Sequence, residues 1–226
     1  LVRLADKPTP VGEIGLRYRI VPFSGEPPEE PFGDAGKEVK NVLPEAKGIE
    51  GLTRVEEALE DREPRVIQAG SGETLAELRL ARASDNLALS ATVTDGRVTP
   101  HETVWKGSCL EVFGSMPGTT EIGQVFLAPG ANDIPPKAYR AAEGIVETPK
   151  IPLATQPTGA GYALRALIPF SLLKVDPEKG RIMLEFQVTC MGGPDGKLAR
   201  GTLFDSLHAY ENSQRYGLFV VEGQSE

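Results

Sequence analysis

TLAELRLARA, residues 74–83, meets NLALSATVTDG, residues 86–96, through the turn SDN at 84–86. In both arms apolar residues alternate with polar or small ones. This period of two sends successive side chains to opposite faces of a strand. Ser84, Asp85 and Asn86 are turn formers, so the stretch predicts a tight antiparallel hairpin.

Outward from the hairpin the pattern repeats. CLEVFGSM (109–116), GQVFLAPG (123–130), KIPLATQP (150–157), YALRALIPF (162–170), RIMLEFQVTC (181–190) and YGLFVVE (216–222) are further strand candidates. PGTT, PTGAG and DPEKG separate some of them as turns, and GGPDGK (192–197) opens a loop. SLLKVDP (171–177), after Pro169, allows a single helical turn. Short strands at this spacing, without alternating helices, predict an all-β chain: an antiparallel β-sandwich with jelly-roll or immunoglobulin-like layers. The 25 glycines and 19 prolines of the 226 residues agree with many turns and few long helices.

Upstream of residue 64 the pattern changes. GLRYRIVPF (15–23) alternates as one strand, whereas SGEPPEEPFGDAGKE (24–38) is too polar and proline-rich to bury much surface and reads as a loop or linker. Ile49, Leu52, Val55 and Leu59 recur at spacings of three and four, which predicts a short amphipathic helix on a sheet edge. The expected organisation is an N-terminal extension or linker over 1–63, packed on a sandwich over 64–226. Leu1 is not an initiator methionine, so the chain reads as a processed or excised piece of a longer protein.

A formal net charge of −8 argues against a binder of nucleic-acid phosphates, which needs a basic face. No apolar run is long enough to predict a membrane-spanning helix. Cys109 and Cys190 allow one disulfide without demanding it. Strand phase puts Cys109 on the face of Glu111, and Cys190 on the face opposite Gln187 and Thr189.

Catalytic signals are sparse. His101 and His208 stand in no metal-ligand spacing, and Ser108 lacks a nucleophile-elbow motif. Glu111 and Glu185 lie inside strands, where the simplest reading turns each outward from a half-solvated sheet. Trp105 precedes a strand, and Tyr210 sits in the polar stretch LHAYENSQRYG (207–217). Neither has the setting of a core aromatic, whereas Phe113, Phe186, Phe204 and Phe219 do. Aromatic faces outside the core, beside polar side chains, suit a sugar.

In this order the segments resemble the family 9 carbohydrate-binding modules and their wider DOMON-like relatives, accessory domains of xylanases and other secreted bacterial proteins. LRLARASDNLALSATVTDG (78–96) is similar to the family's opening hairpin, which ends in V-x-D. VWKGSCLEVF (104–113) resembles W-x-x-D-S-V-E-I-F; YALRALIPFSLLKVDPEKGRIMLEFQVT (162–189) is similar to Y-x-x-E-x-x-I-P and the strand after it; RYGLFVV (215–221) resembles F-G-x-L-x-L. The resemblance covers roughly residues 72–222.

It implies a non-catalytic module that holds a plant or microbial polysaccharide outside the cell or in the periplasm. Trp105 and Tyr210 would clamp a sugar, with Glu111 and Gln187 on its hydroxyls. Two departures stand out. Ser108 replaces the motif aspartate, and Phe126 and Ala128 occupy the places of an arginine and an asparagine. The family also binds structural calcium, whose ligands find no one-to-one match here.

Other readings remain open at this stage. A structural or interaction sandwich that has lost its sugar would cover Trp105. A haem-binding relative would use Met116, Met183 or Met191 opposite His101 or His208. A glycoside hydrolase needs a second carboxylate facing Glu111 across a cleft.

Overall fold

Ala83 pairs with Asn86 at the hairpin tip, with Ser84 in the left-handed region at φ 51°. The computed structural model describes residues 41–142, 144–204 and 208–222. The expected strand at 15–23 and the linker at 24–38 lie outside them.

Two sheets form a β-sandwich. The first runs β2 (Arg65–Gln68), β3 (Thr74–Ala83), β4 (Asn86–Thr94), β10 (Gly161–Pro169) and β9 (Leu153–Thr158). The second runs β1 (Asn41–Leu43), β13 (Gly217–Val221), β11 (Arg181–Cys190), β5 (Cys109–Ser115), β6 (Gly123–Ala128), β7 (Lys137–Ala141) and β8 (Ile145–Glu147). β12 (Ala199–Thr202) also pairs with β11. Neighbours are antiparallel except β1 and β13, which are parallel.

The core lies between the sheets. Leu78, Leu80, Leu87, Leu89, Leu164 and Ile168 face Leu110, Val112, Leu127, Leu184, Phe186 and Phe219 across it. Burying such side chains stabilises the fold by about 1.5–3 kcal/mol each.

Helix α1 (Leu52–Leu59) packs on the outer face of the first sheet, not on its edge. Val55 and Leu59 settle on Ala81, Ala83, Ala88 and Leu167, whose mostly small side chains let the helix approach. Arg165 Nη1 then bonds Glu56 Oε2 at 2.7 Å. β1 and α1 both fall in the stretch expected to be an extension, so residues 41–59 are part of the sandwich's packing.

The chain leaves β10 through a 3-10 turn, Phe170–Leu173, and a second turn follows at Pro177–Lys179. Leu173 presses on the paired glycines Gly114 and Gly123: a Cβ at Gly123 would lie 2.2 Å from the Leu173 carbonyl carbon. A larger residue therefore has no room there.

β5 is buried at all seven positions, although only one of its faces meets the inter-sheet core. Connecting segments cover its other face. That face carries the candidate site.

Candidate functional site

The register of the second sheet sets Phe126, Glu111, Gln187 and Thr202 side by side across β6, β5, β11 and β12. Glu111 is only 3 % exposed. Gln187 Nε2 donates to its Oε1 and Gln124 Nε2 to its Oε2, both at 2.9 Å. Burial pushes the Glu111 carboxyl above the ordinary glutamate value. The two amides and the nearby charge of Arg200 oppose that rise. Because each amide spends an N–H on the carboxylate, its carbonyl oxygen stays available as an acceptor.

Phe126, Glu111 and Gln187 of this row, with Gln124, line an open groove of about 460 Å³. Trp105 and Tyr210 line it too, with 42 % and 56 % of their surfaces exposed. Ile145 and Arg200 add to its walls. All four residues expected from the sequence, Trp105, Glu111, Gln187 and Tyr210, therefore line one cavity.

Each aromatic is held from behind. Trp105 belongs to a 3-10 turn, Val104–Lys106, whose Val104 is buried with Cys109 and Phe126. Its ring lies 6.3 Å from that of Phe126, at 38°. Arg200 Nη2 donates to the Trp105 carbonyl at 3.2 Å. Tyr210 follows buried Ala209, which packs with Tyr216 and Phe113. The Tyr216 hydroxyl donates to the Ala209 carbonyl and closes that loop. His208 Nδ1 lies 3.3 Å from the Tyr210 hydroxyl.

Gln124 and Arg200 are site residues that the sequence reading missed. Gln124 sits two positions before Phe126 and hence on the same strand face, a signal available from the period of two. Arg200 had no such signal, because only the pairing of β12 with β11 brings it to the groove.

Glu185 corrects the expectation of an outward, half-solvated carboxylate. It is 0 % exposed, and its Oε1 accepts from the backbone N–H groups of Phe186, Leu203 and Phe204. The segment after β12 folds over it. Among the described residues Glu111 is the one carboxylate lining the groove.

Ser108, at the place of the family's aspartate, is buried and donates to Asp95 Oδ2 at 2.6 Å. Asp95 also accepts from the backbone N–H groups of Arg97, Met191 and Gly192. A carboxylate surrounded by four donors does not fit a calcium ligand, whose lone pairs must face the ion. Among the described residues no three His, Cys, Asp or Glu gather at a metal-binding distance. Of the residues considered for haem, Met116 accepts the Asp176 N–H on its sulfur and Met183 packs beside Phe113 and Tyr216. His101 Nδ1 accepts the Thr103 N–H.

Both cysteines are free and buried. Cys109 packs with Val104 and Phe126 behind the groove, and Cys190 belongs to the inter-sheet core. Among the described residues no helix is long and apolar enough to cross a membrane.

No protein-family model matches the sequence, and no curated protein matches it. Solved structures do match. A family 9 carbohydrate-binding module from Caldicellulosiruptor kristjanssonii, in complex with cellotriose, is 20 % identical with a TM-score of 0.59, over 83 % of this chain and 96 % of that one. The glucose complex of such a module from the same organism gives 19 % and 0.52 over the same shares. A candidate carbohydrate-binding protein from Bacteroides uniformis gives 14 % and 0.53, over 81 % of this chain and 97 % of that one. This chain is built on the β-sandwich fold of the family 9 carbohydrate-binding modules.

Proposed function

We propose that the groove binds a sugar between Trp105 and Tyr210, with Glu111 and Gln187 on its hydroxyls, and that the domain is a non-catalytic carbohydrate-binding module. One observation carries the reading: two exposed aromatic side chains line the same groove as a carboxylate oriented by two amides. Flat apolar area beside directed polar groups matches a pyranose, whose C–H face is apolar and whose rim is hydroxylated. A ligand-free structural sandwich would cover Trp105, and its 42 % exposure supports binding instead. An accessory place in a larger extracellular or periplasmic protein follows from the resemblance.

Affinity electrophoresis against soluble glucans and xylans, with calorimetry on cellotriose and glucose, tests the reading. Wild type is expected to be retained by at least one glycan and Trp105→Ala to pass freely. No retention on any glycan, or equal retention of both proteins, overturns it.

A further inference from the structure

Phe126 and Ala128 bring no side-chain donor to the β6 positions where an arginine and an asparagine were expected. Among the described residues, the cation lining the groove comes from β12 instead. Arg200 stands opposite Thr189, two residues along from the Glu111–Gln187–Thr202 row and on the same face. Its Nη2 bond to the Trp105 carbonyl holds the guanidinium beside the aromatic wall. No other hydrogen bond and no ion pair ties the Arg200 side chain to the described residues. Most of its N–H groups are therefore unspent, at an exposed position lining the groove.

A guanidinium fork matches a planar group with two oxygens far better than it matches a lone hydroxyl. Among sugars, that group is the carboxylate of a uronic acid. We infer that the groove takes a sugar bearing a carboxylate, which Arg200 pairs while Glu111, Gln124 and Gln187 bond the ring hydroxyls. The inference rests on the sugar-binding reading above and names the class of sugar. The apolar wall of Trp105, Phe126 and Ile145 carries the C–H face of the ring. Glu111 does not present a bare charge to such a ligand, since each of its oxygens is capped by an amide N–H.

Calorimetric titration with matched methyl glycosides tests this: glucuronide against glucoside, and galacturonide against galactoside. At least one uronide is expected to bind roughly tenfold more tightly than its neutral partner, a difference of about 1.4 kcal/mol. High salt should shrink the preference, Arg200→Gln should abolish it, and Arg200→Lys should keep part of it. If neutral sugars bind as well as uronides, or if Arg200→Gln keeps the preference, the inference falls and the sugar-binding reading stands. If wild type binds no glycan, both fall. Should Arg200→Gln fail to fold, the wild-type ratio and its salt dependence decide alone.

Discussion

Glu111 and Gln187 are direct partners across β5 and β11, and the bond between their side chains, 2.9 Å from Gln187 Nε2 to Glu111 Oε1, ties two strands 76 residues apart in sequence. The carboxylate is oriented by amides, with no cation in ion-pair contact among the described residues. Its cost is therefore set by burial, which raises its proton affinity in the fold above that in the unfolded chain. A carboxyl shifted in this direction favours folding below the ordinary glutamate value and loses that contribution as pH rises through the folded value.

Glu111→Gln removes the charged form, so the variant should be more stable than wild type at neutral pH, with the difference vanishing in acid. Denaturant unfolding at several pH values checks this. Sugar binding should weaken about ten- to a hundredfold at neutral pH, since hydrogen bonds to a charged group contribute roughly 1.5–3 kcal/mol. A variant no more stable than wild type at neutral pH contradicts the burial argument.

Trp105 is the only tryptophan, so its emission reports on the groove alone. Acrylamide should quench it in the free protein, and a bound sugar should protect it. Trp105→Ala and Tyr210→Ala should each lower affinity by about tenfold or more, as aromatic anchors do when truncated. Each should cost less than about 1 kcal/mol of stability, because both rings are substantially exposed. Binding by both variants as tight as that of wild type would remove the aromatic pair from the site.

The hairpin at 74–94 was legible because its period and its turn are local, and the face shared by Cys109 and Glu111 followed from the same period. Trp105 and Tyr210 stood out because each lies beside a strand rather than within one. What needed the structure depends on distant segments. Glu185 looks solvated until Leu203 and Phe204 fold over it, and Arg200 reaches the groove only through a pairing that GGPDGK hides. β7, β8 and β12 are three to five residues long and carry charges, so their alternation is too brief to read. The seat of α1 did leave a trace: Ala81, Ala83 and Ala88 stand where a solvated face would be polar.

Ser108 answers for the missing motif aspartate in a way that can be tested. Its hydroxyl lies 2.6 Å from Asp95 Oδ2 in a buried setting, so Ser108→Asp would set two carboxylates against each other. Two like charges in this buried setting disfavour the doubly ionised pair, so stability falls as pH rises. At neutral pH the variant should lose about 3 kcal/mol or more, as an uncompensated buried charge does. Mild acid should restore much of it. Ser108→Ala should lose only about 1–3 kcal/mol, with little pH dependence. Urea unfolding at two pH values separates the cases, and a pH-independent loss in Ser108→Asp rules out the carboxylate clash.

Cys109 lies opposite Thr189, so the next residue, Cys190, sends its sulfur to the other face of the sheet. A bridge would have to cross the sheet. Burial raises both thiols, that of Cys190 to about 12, which leaves almost no thiolate at neutral pH. Neither cysteine should react with a thiol reagent in the native protein, and both should react on unfolding. Stability should not change with reductant, whereas a midpoint that drops on reduction contradicts the two free thiols.

Gly123 offers the sharpest test of the packing that closes the sandwich beneath the groove sheet. Its neighbours leave no space for a methyl group, because a Cβ would sit 2.2 Å from the Leu173 carbonyl carbon and 2.4 Å from its Cα. These are backbone atoms, so no side-chain rotation relieves the clash, and the 3-10 turn at Phe170–Leu173 must move. Gly123→Ala should therefore cost about 1–3 kcal/mol, the usual penalty of overpacking. Gly118→Ala serves as a contrasting variant: nothing lies within 4 Å of its Cβ position, and its φ of +79° makes its penalty one of backbone strain alone. If the turn yields as a unit, Gly123→Ala should expose Leu173 and raise amide exchange at Val175, whose N–H bonds the Phe170 carbonyl, whereas Gly118→Ala should leave that amide protected. Unchanged exchange at Val175 in Gly123→Ala would mean that the sheet, not the turn, absorbs the added methyl.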